Sequence, residues 1–386
     1  MTRHTSSEKQ ELTSVIRRVL SVLFLLFVFL LGVKGLGDGF KLFGTDFLDS
    51  FFSLTANPFV GIFVGVLATT LVQSSSVSTS MIVGLVAAPD NPLPLANAVP
   101  MIMGANIGTT VTCTVVSLAH MGRRDEFERA FSMAGCHDFF NILAVMVLLP
   151  LELMTGYLQS TARFLSTVVV GIGGFTYESP FKALLSFAFT PIQSSAEAIF
   201  NAEWGQAFFL VGISAALIFV ALWLIVKLMR SLVISRIETA VDSALGSSAV
   251  FAMVIGVIVT VMVQSSSITT SIMVPLAAAG VLRLEQAFPI TIGANIGTTI
   301  TAMGAALAVS GPNALAGVEI AIVHLFFNLS GTILIYPVRR IRQLPLQAAR
   351  MLAAAAVRSK KLALFYVATM FYGFPALLIY VTQLLK

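Results

Sequence analysis

Apolar residues in this 386-residue chain run in long stretches, and polar residues gather in short strings between or inside them. Val15 to Leu31 is interrupted only by Arg17, Arg18 and Ser21, and Leu362 to Leu385 carries no charge, so each approaches or reaches a bilayer-spanning helix. Two other stretches, about Pro58 to Ala88 and about Ala249 to Ala279, do not read as single spans. Each contains a polar step: Val72 to Ser80 is V-Q-S-S-S-V-S-T-S and Val263 to Ser271 is V-Q-S-S-S-I-T-T-S. An apolar run, a polar step and a second apolar run predict a hairpin or broken helix that enters the bilayer and turns near its middle. G-A-N-I-G-T-T, with two glycines and an asparagine, predicts a similar break at Gly104 and again at Gly293.

These strings belong to an internal repeat. Gly104 to Thr112 and Gly293 to Thr301 agree at eight of nine positions, and H-D-F-F-N from His137 is matched by H-L-F-F-N from His324. Order and spacing persist: Gln73 lies 31 residues before Gly104, and Gln264 lies 29 before Gly293. Pro150 and Pro337 each follow their histidine by thirteen residues.

Charge decides how the copies are oriented. The connection after the first G-A-N-I-G-T-T carries Arg123, Arg124 and Arg129, mixed with Asp125, Glu126 and Glu128, whereas its counterpart, Ala308 to Gly317, is uncharged. Pro150 to Gln159 has no Lys or Arg, whereas its counterpart, Val338 to Lys361, has seven and no acid. Because Lys and Arg mark the cytoplasmic side, the copies are expected to be inverted in the membrane. The fold expected is an all-α polytopic membrane protein of two inverted-topology repeats, whose broken helices or re-entrant hairpins meet at the bilayer midplane. The segments expected are 1–46 (cytoplasmic N-terminus and first helix), 47–150 (first repeat), 151–246 (inter-repeat segment with a transmembrane helix), 247–338 (second repeat) and 339–386 (basic cytoplasmic connection and last helix). The last helix places Lys386 outside unless it bends at Pro375. The first helix reads as uncleaved.

Composition agrees with a multi-pass protein of the cell or inner membrane: 57% hydrophobic, 11% charged, mean hydropathy +0.93. The net charge of +5 follows from topology and not from nucleic-acid binding. Cys113 and Cys136 read as free buried thiols. His137 and His324 read as rings bonded to a neighbouring helix, Gly61 and Gly65 as close-packing positions, and Gln193-Ser194-Ser195, after Pro191, as a helix cap. No cofactor, metal other than Na+ or enzymatic motif is indicated.

One hydroxyl cluster in a membrane helix reads as packing, but two copies of both strings read as a site. Hydroxyls, an amide and the free N–H groups of a helix starting after a break suit an oxyanion such as phosphate. Carbonyls exposed at breaks, with Asn106, Asn295 and hydroxyls, suit Na+. Phe51 to Ala119 contains one charged residue, Asp90, and no Lys or Arg lies in either motif. A dianion at mid-membrane therefore calls for co-bound cations, hence Na+ symport. Asp138, the one acid inside the repeated motifs, has Leu325 as its counterpart in the other copy and is a cation-site candidate.

The paired Q-S-S-S and G-A-N-I-G-T-T strings, with R-D-E-F-E-R-A-F and H-D-F-F-N between Arg124 and Asn141, resemble the type II sodium-dependent phosphate cotransporters. The length suggests a bacterial member. This resemblance covers roughly Leu54 to Pro150 and Val250 to Pro337. It implies electrochemically driven phosphate uptake by alternating access. Gln73, Ser74, Ser75, Ser76, Gln264, Ser265, Ser266 and Ser267 would line the phosphate region. Sodium would be held by Asn106, Thr109, Thr110, Asp138, Asn141, Asn295, Thr298 and Thr299, with Asp138 marking an electrogenic carrier. One departure is that His120 and Arg123 stand where the family has a glutamine and an aspartate. The expected partners are inorganic phosphate, Na+ and membrane lipid, with a homodimer left open and no nucleic acid. A sodium-coupled dicarboxylate carrier is the close alternative, and an anion channel a more distant one.

Overall fold

The structure, a computed structural model, describes residues 2–43, 52–173, 182–245, 248–309 and 311–384, which form helices and no strand. The boundaries expected at 46 and 47 and at 246 and 247, and the position of Lys386, lie outside these residues. Among the described residues, six helices are long and apolar enough to cross a membrane: Leu20–Gly39, Leu95–Leu118, Arg124–Thr155, Glu203–Ile225, Ala314–Ile335 and Lys360–Leu384. The helices around the Q-S-S-S strings are only 12 to 15 residues long. At 1.5 Å per residue they reach about 18 to 22 Å, short of a ~30 Å hydrocarbon core. They come as two pairs, each interrupted at its Q-S-S-S string.

We number helices α1 (Thr2–Lys41), α2 (Pro58–Val72), α3 (Ser75–Val86), α4 (Leu95–Gly108), α5 (Val111–Leu118), α6 (Arg124–Thr155), α7 (Tyr157–Gly173), α8 (Lys182–Ile199) and α9 (Glu203–Leu245). The second half supplies α10 (Ala249–Val263), α11 (Ser266–Ala278), α12 (Leu284–Ala306), α13 (Ala314–Ile335), α14 (Arg339–Arg358), α15 (Lys360–Ala368) and α16 (Phe374–Leu384), the last two joined by a π turn at Thr369–Gly373. Packing partners repeat. α2 packs on α4 as α10 packs on α12, α3 on α13 as α11 on α6, and α7 on α13 as α14 on α6. In the last two pairs the contact crosses to the other half, so the halves interlock. The likeness thus extends to α7 and α14, where no residue string announces it.

Glycines make the closest approaches. A Cβ on Gly104 would meet the carbonyl oxygen of Ile62, and one on Gly293 that of Met253, the matching position. Gly65 and Gly256 repeat this against the carbonyls of Met101 and Ile290. Small residues are the ones that let membrane helices pack backbone to backbone.

Three local expectations need correction. The second G-A-N-I-G-T-T makes no break: α12 runs from Leu284 to Ala306 straight through it. The first gives only a tightened turn, with Thr109 and Thr110 still in right-handed helical conformation. Hydroxyls at Thr109 and Thr298 bond back to Ala105 O (2.9 Å) and Ala294 O (3.0 Å), while the glycines serve packing rather than breakage. Gln193-Ser194-Ser195 is no cap, because α8 continues from Lys182 to Ile199 and Ser195 bonds back to Pro191 O at 2.7 Å. The irregularity in the last helix is the π turn before Pro375. Proline lacks an N–H and crowds the carbonyl four residues back, and the wide turn makes room for it.

Candidate functional site

The two Q-S-S-S strings adopt one geometry. Gln73 (φ 57°, ψ 25°) and Gln264 (φ 56°, ψ 29°) are left-handed, a conformation costly for a residue with a Cβ. Each glutamine amide stabilises its own turn by donating to a carbonyl at the end of the preceding helix: Gln73 Nε2 to Thr70 O at 2.6 Å, Gln264 Nε2 to Val261 O at 2.7 Å. The next serine then starts a new helix as N-cap. Ser74 Oγ accepts from Val77 N and Ser265 Oγ from Ile268 N, both at 3.3 Å. The polar string therefore ends one helix and begins another with its first-turn N–H groups unpaired within the helix.

Both turns open on one cavity of about 760 Å³, lined by Gln73, Ser74, Thr112, Gln264, Ser265 and Ser267 on its polar side. Residues of α9, including Phe219 and Trp223, form an apolar wall, and among the described residues no charged side chain lines the space. Ser75, Ser76 and Ser266 do not line it but are buried beneath. Ser76 Oγ lies 3.4 Å from Thr301 Oγ1 and links the two halves.

Thr112 and Thr301 extend the predicted set. Thr112 Oγ1 donates to Gln73 Oε1 at 3.2 Å, and Thr301 Oγ1 donates to Gln264 Oε1 at 3.0 Å. With Nε2 anchored on a carbonyl and Oε1 on a threonine, the Gln264 amide keeps one N–H for the cavity, while the second N–H of Gln73 is directed at the Tyr372 hydroxyl, 3.5 Å away. The signal was present in the sequence, since each threonine closes its nine-residue repeat, Gly104 to Thr112 or Gly293 to Thr301.

The expected sodium residues fall into two groups. In the first, His137 Nε2 and Asn295 Oδ1 are 2.7 Å apart, Asn295 Nδ2 donates to Asn141 Oδ1 at 2.7 Å, and Asn141 Nδ2 donates to Asn106 O at 2.8 Å. Asn328 Nδ2 donates to Asn106 Oδ1 at 3.2 Å. This buried network ties the halves together, and Asn328 was not among the expected ligands. His137 thus bonds a neighbouring helix, whereas His324, buried, has both ring nitrogens unpartnered. The second group surrounds Asp138, also buried, with Thr114 and Tyr366 at its carboxylate and Thr110 beside it. Thr110 and Thr299 hydroxyls otherwise bond to Ile107 O and Ile296 O, 2.8 and 2.7 Å away.

His120 and Arg123 stand at the α5–α6 connection. Both face Glu126, Arg123 Nη1 at 2.7 Å and His120 Nδ1 at 3.7 Å from its carboxylate oxygens. Cys113 and Cys136 are free and buried.

A sequence profile for the family described as Na+/Pi-cotransporter matches residues 28–177 and 217–374. The chain is similar to sodium-dependent phosphate transport protein 2A of sheep (Ovis aries), 33% identical over 426 residues covering 92% of this chain and 66% of that protein. The same protein of the rat (Rattus norvegicus) is 32% identical, covering 95% and 68% of the two chains. Human (Homo sapiens) sodium-dependent phosphate transport protein 2B is 31% identical, covering 93% and 64%. The chain thus spans about two thirds of the length of these relatives. No solved structure matches it.

Proposed function

Because this chain belongs to the Na+/Pi-cotransporter family, which matches it in both halves, we propose that it imports inorganic phosphate together with Na+ as a secondary active symporter. The observation that carries this reading is the shared cavity: two glutamine–serine turns aim helix N-termini, and Gln264 an amide N–H, into one space that no charged side chain among the described residues lines. Such donors suit a tetrahedral oxyanion. Without Lys or Arg, the charge of phosphate is offset by sodium ions bound at the same time, which makes the coupling a matter of electrostatics. Inverted copies allow the site to face each side in turn, and reversal of Lys and Arg between matching connections supports that orientation.

In this reading Gln73, Ser74, Gln264, Ser265 and Ser267 contact phosphate, and Ser75, Ser76 and Ser266 brace the turns from below. Asp138 holds a sodium ion, and net charge moves with the loaded carrier. Asn106, Asn141 and Asn295 supply further oxygens, and the N-terminus is cytoplasmic. Uptake of labelled phosphate into proteoliposomes under an inward Na+ gradient tests the substrate. Excess arsenate, also a tetrahedral oxyanion, is expected to compete, and excess succinate to leave uptake unchanged. Strong inhibition by succinate with none by arsenate identifies a dicarboxylate carrier instead.

A further inference from the structure

Asp138 is met by a residue from outside both sets of motifs. Tyr366, on α15, donates its hydroxyl to Asp138 Oδ2 at 2.9 Å. Thr114 Oγ1 lies 3.5 and 3.4 Å from the two carboxylate oxygens. The tyrosine ring is fixed independently of its hydroxyl by edge contacts with Phe131 and Phe371, at centroid distances of 6.3 and 6.1 Å. α15 itself packs on α5, the helix that carries Thr114. Beyond Tyr366 the π turn rotates the helix and sets the Tyr372 hydroxyl 3.5 Å from Gln73 Nε2. One C-terminal helix thus places one tyrosine at the acid and another at the edge of the motif cavity.

We infer that Tyr366 is an oxygen ligand of a monovalent-cation site centred on Asp138, with Thr114 as a second hydroxyl ligand. This rests on the reading of Asp138 as a sodium residue. A buried carboxylate needs donors while the site is empty and must release them when a cation arrives. Hydroxyl groups do both, because rotation about the C–O bond replaces a donated hydrogen by a lone pair. Carboxylate, phenol and alcohol oxygens form a hard donor set suited to Na+. The phenol comes from a helix whose π turn also brings Tyr372 to Gln73.

The test uses purified protein in liposomes on a solid-supported membrane, where Na+ jumps without phosphate give a charge displacement. Tyr366→Phe keeps the ring and removes the ligand oxygen. It is expected to raise the Na+ concentration for half-maximal displacement by about tenfold, the scale of one interaction with a charged group. Phosphate uptake at saturating Na+ should persist. A merely structural role would lower the amplitude and leave the half-saturation where it is. Asp138→Gly is expected to abolish the displacement. If it does so while Tyr366→Phe retains wild-type half-saturation, Tyr366 is no ligand and the role of Asp138 stands. If Asp138→Gly displaces charge normally, both assignments fall. Thr114→Val carries the same test should Tyr366→Phe give no folded protein, and an unshifted half-saturation there overturns the hydroxyl pair.

Discussion

Replacing Thr301 by valine removes one hydroxyl and keeps the side-chain outline. That hydroxyl is nearly buried, donates to Gln264 Oε1 at 3.0 Å and stands 3.4 Å from Ser76 Oγ. Without it the part-buried glutamine oxygen loses its donor and the buried Ser76 hydroxyl loses its acceptor, and the amide is no longer fixed with its free N–H toward the cavity. Leaving a buried polar atom unpaired costs about 1–3 kcal/mol, equivalent to about 5- to 150-fold in an equilibrium constant. Thr112→Val is the matching change in the first half, but its 3.2 Å bond to Gln73 is exposed and water can replace it. Its cost is the ordinary net value of a hydrogen bond, about 0.5–1.5 kcal/mol. Initial uptake rates as a function of phosphate concentration should therefore show a larger rise in KM for Thr301→Val than for Thr112→Val, with Thr301→Ser restoring most of the loss. Equal effects, or a larger one at Thr112, would refute the argument from burial.

Other expectations follow from single contacts. Gly104→Ala and Gly293→Ala drive a methyl into the Ile62 and Met253 carbonyls and should each lower thermal stability in detergent by about 1–3 kcal/mol, while Gly304→Ala, with open space around it, should gain about 0.5–1 kcal/mol. His137→Leu orphans Asn295 Oδ1 and should reduce the thermal midpoint more than His324→Leu, which removes a ring without partners. Trp223 lines the cavity with Lys227 Nζ 5.1 Å above its ring, and Trp204 is the only other tryptophan. In Trp204→Phe protein, fluorescence should change on adding phosphate in Na+ and stay constant in K+; a constant signal in both would place the ligand elsewhere.

The two helix interruptions were legible because the same polar string divides two apolar stretches that are too long for a turn and too polar for one span. G-A-N-I-G-T-T misled because glycine signals breakage in water, whereas at Gly104 and Gly293 it provides the flat surface on which another backbone rests. Tyr366 was invisible: it is 228 residues from Asp138 and belongs to no repeated string. The correspondence of α7 with α14 left no trace either. It is carried by packing partners, and apolar surfaces are matched by many sequences.

The central claim is that an uncharged cavity accepts phosphate only when Na+ supplies the positive charge. Purified protein in liposomes, loaded with K+ and held at a fixed membrane potential, should accumulate labelled phosphate above its external concentration when Na+ is outside. It should fail to do so when K+ replaces that Na+. Equal accumulation in Na+ and K+ would contradict the account.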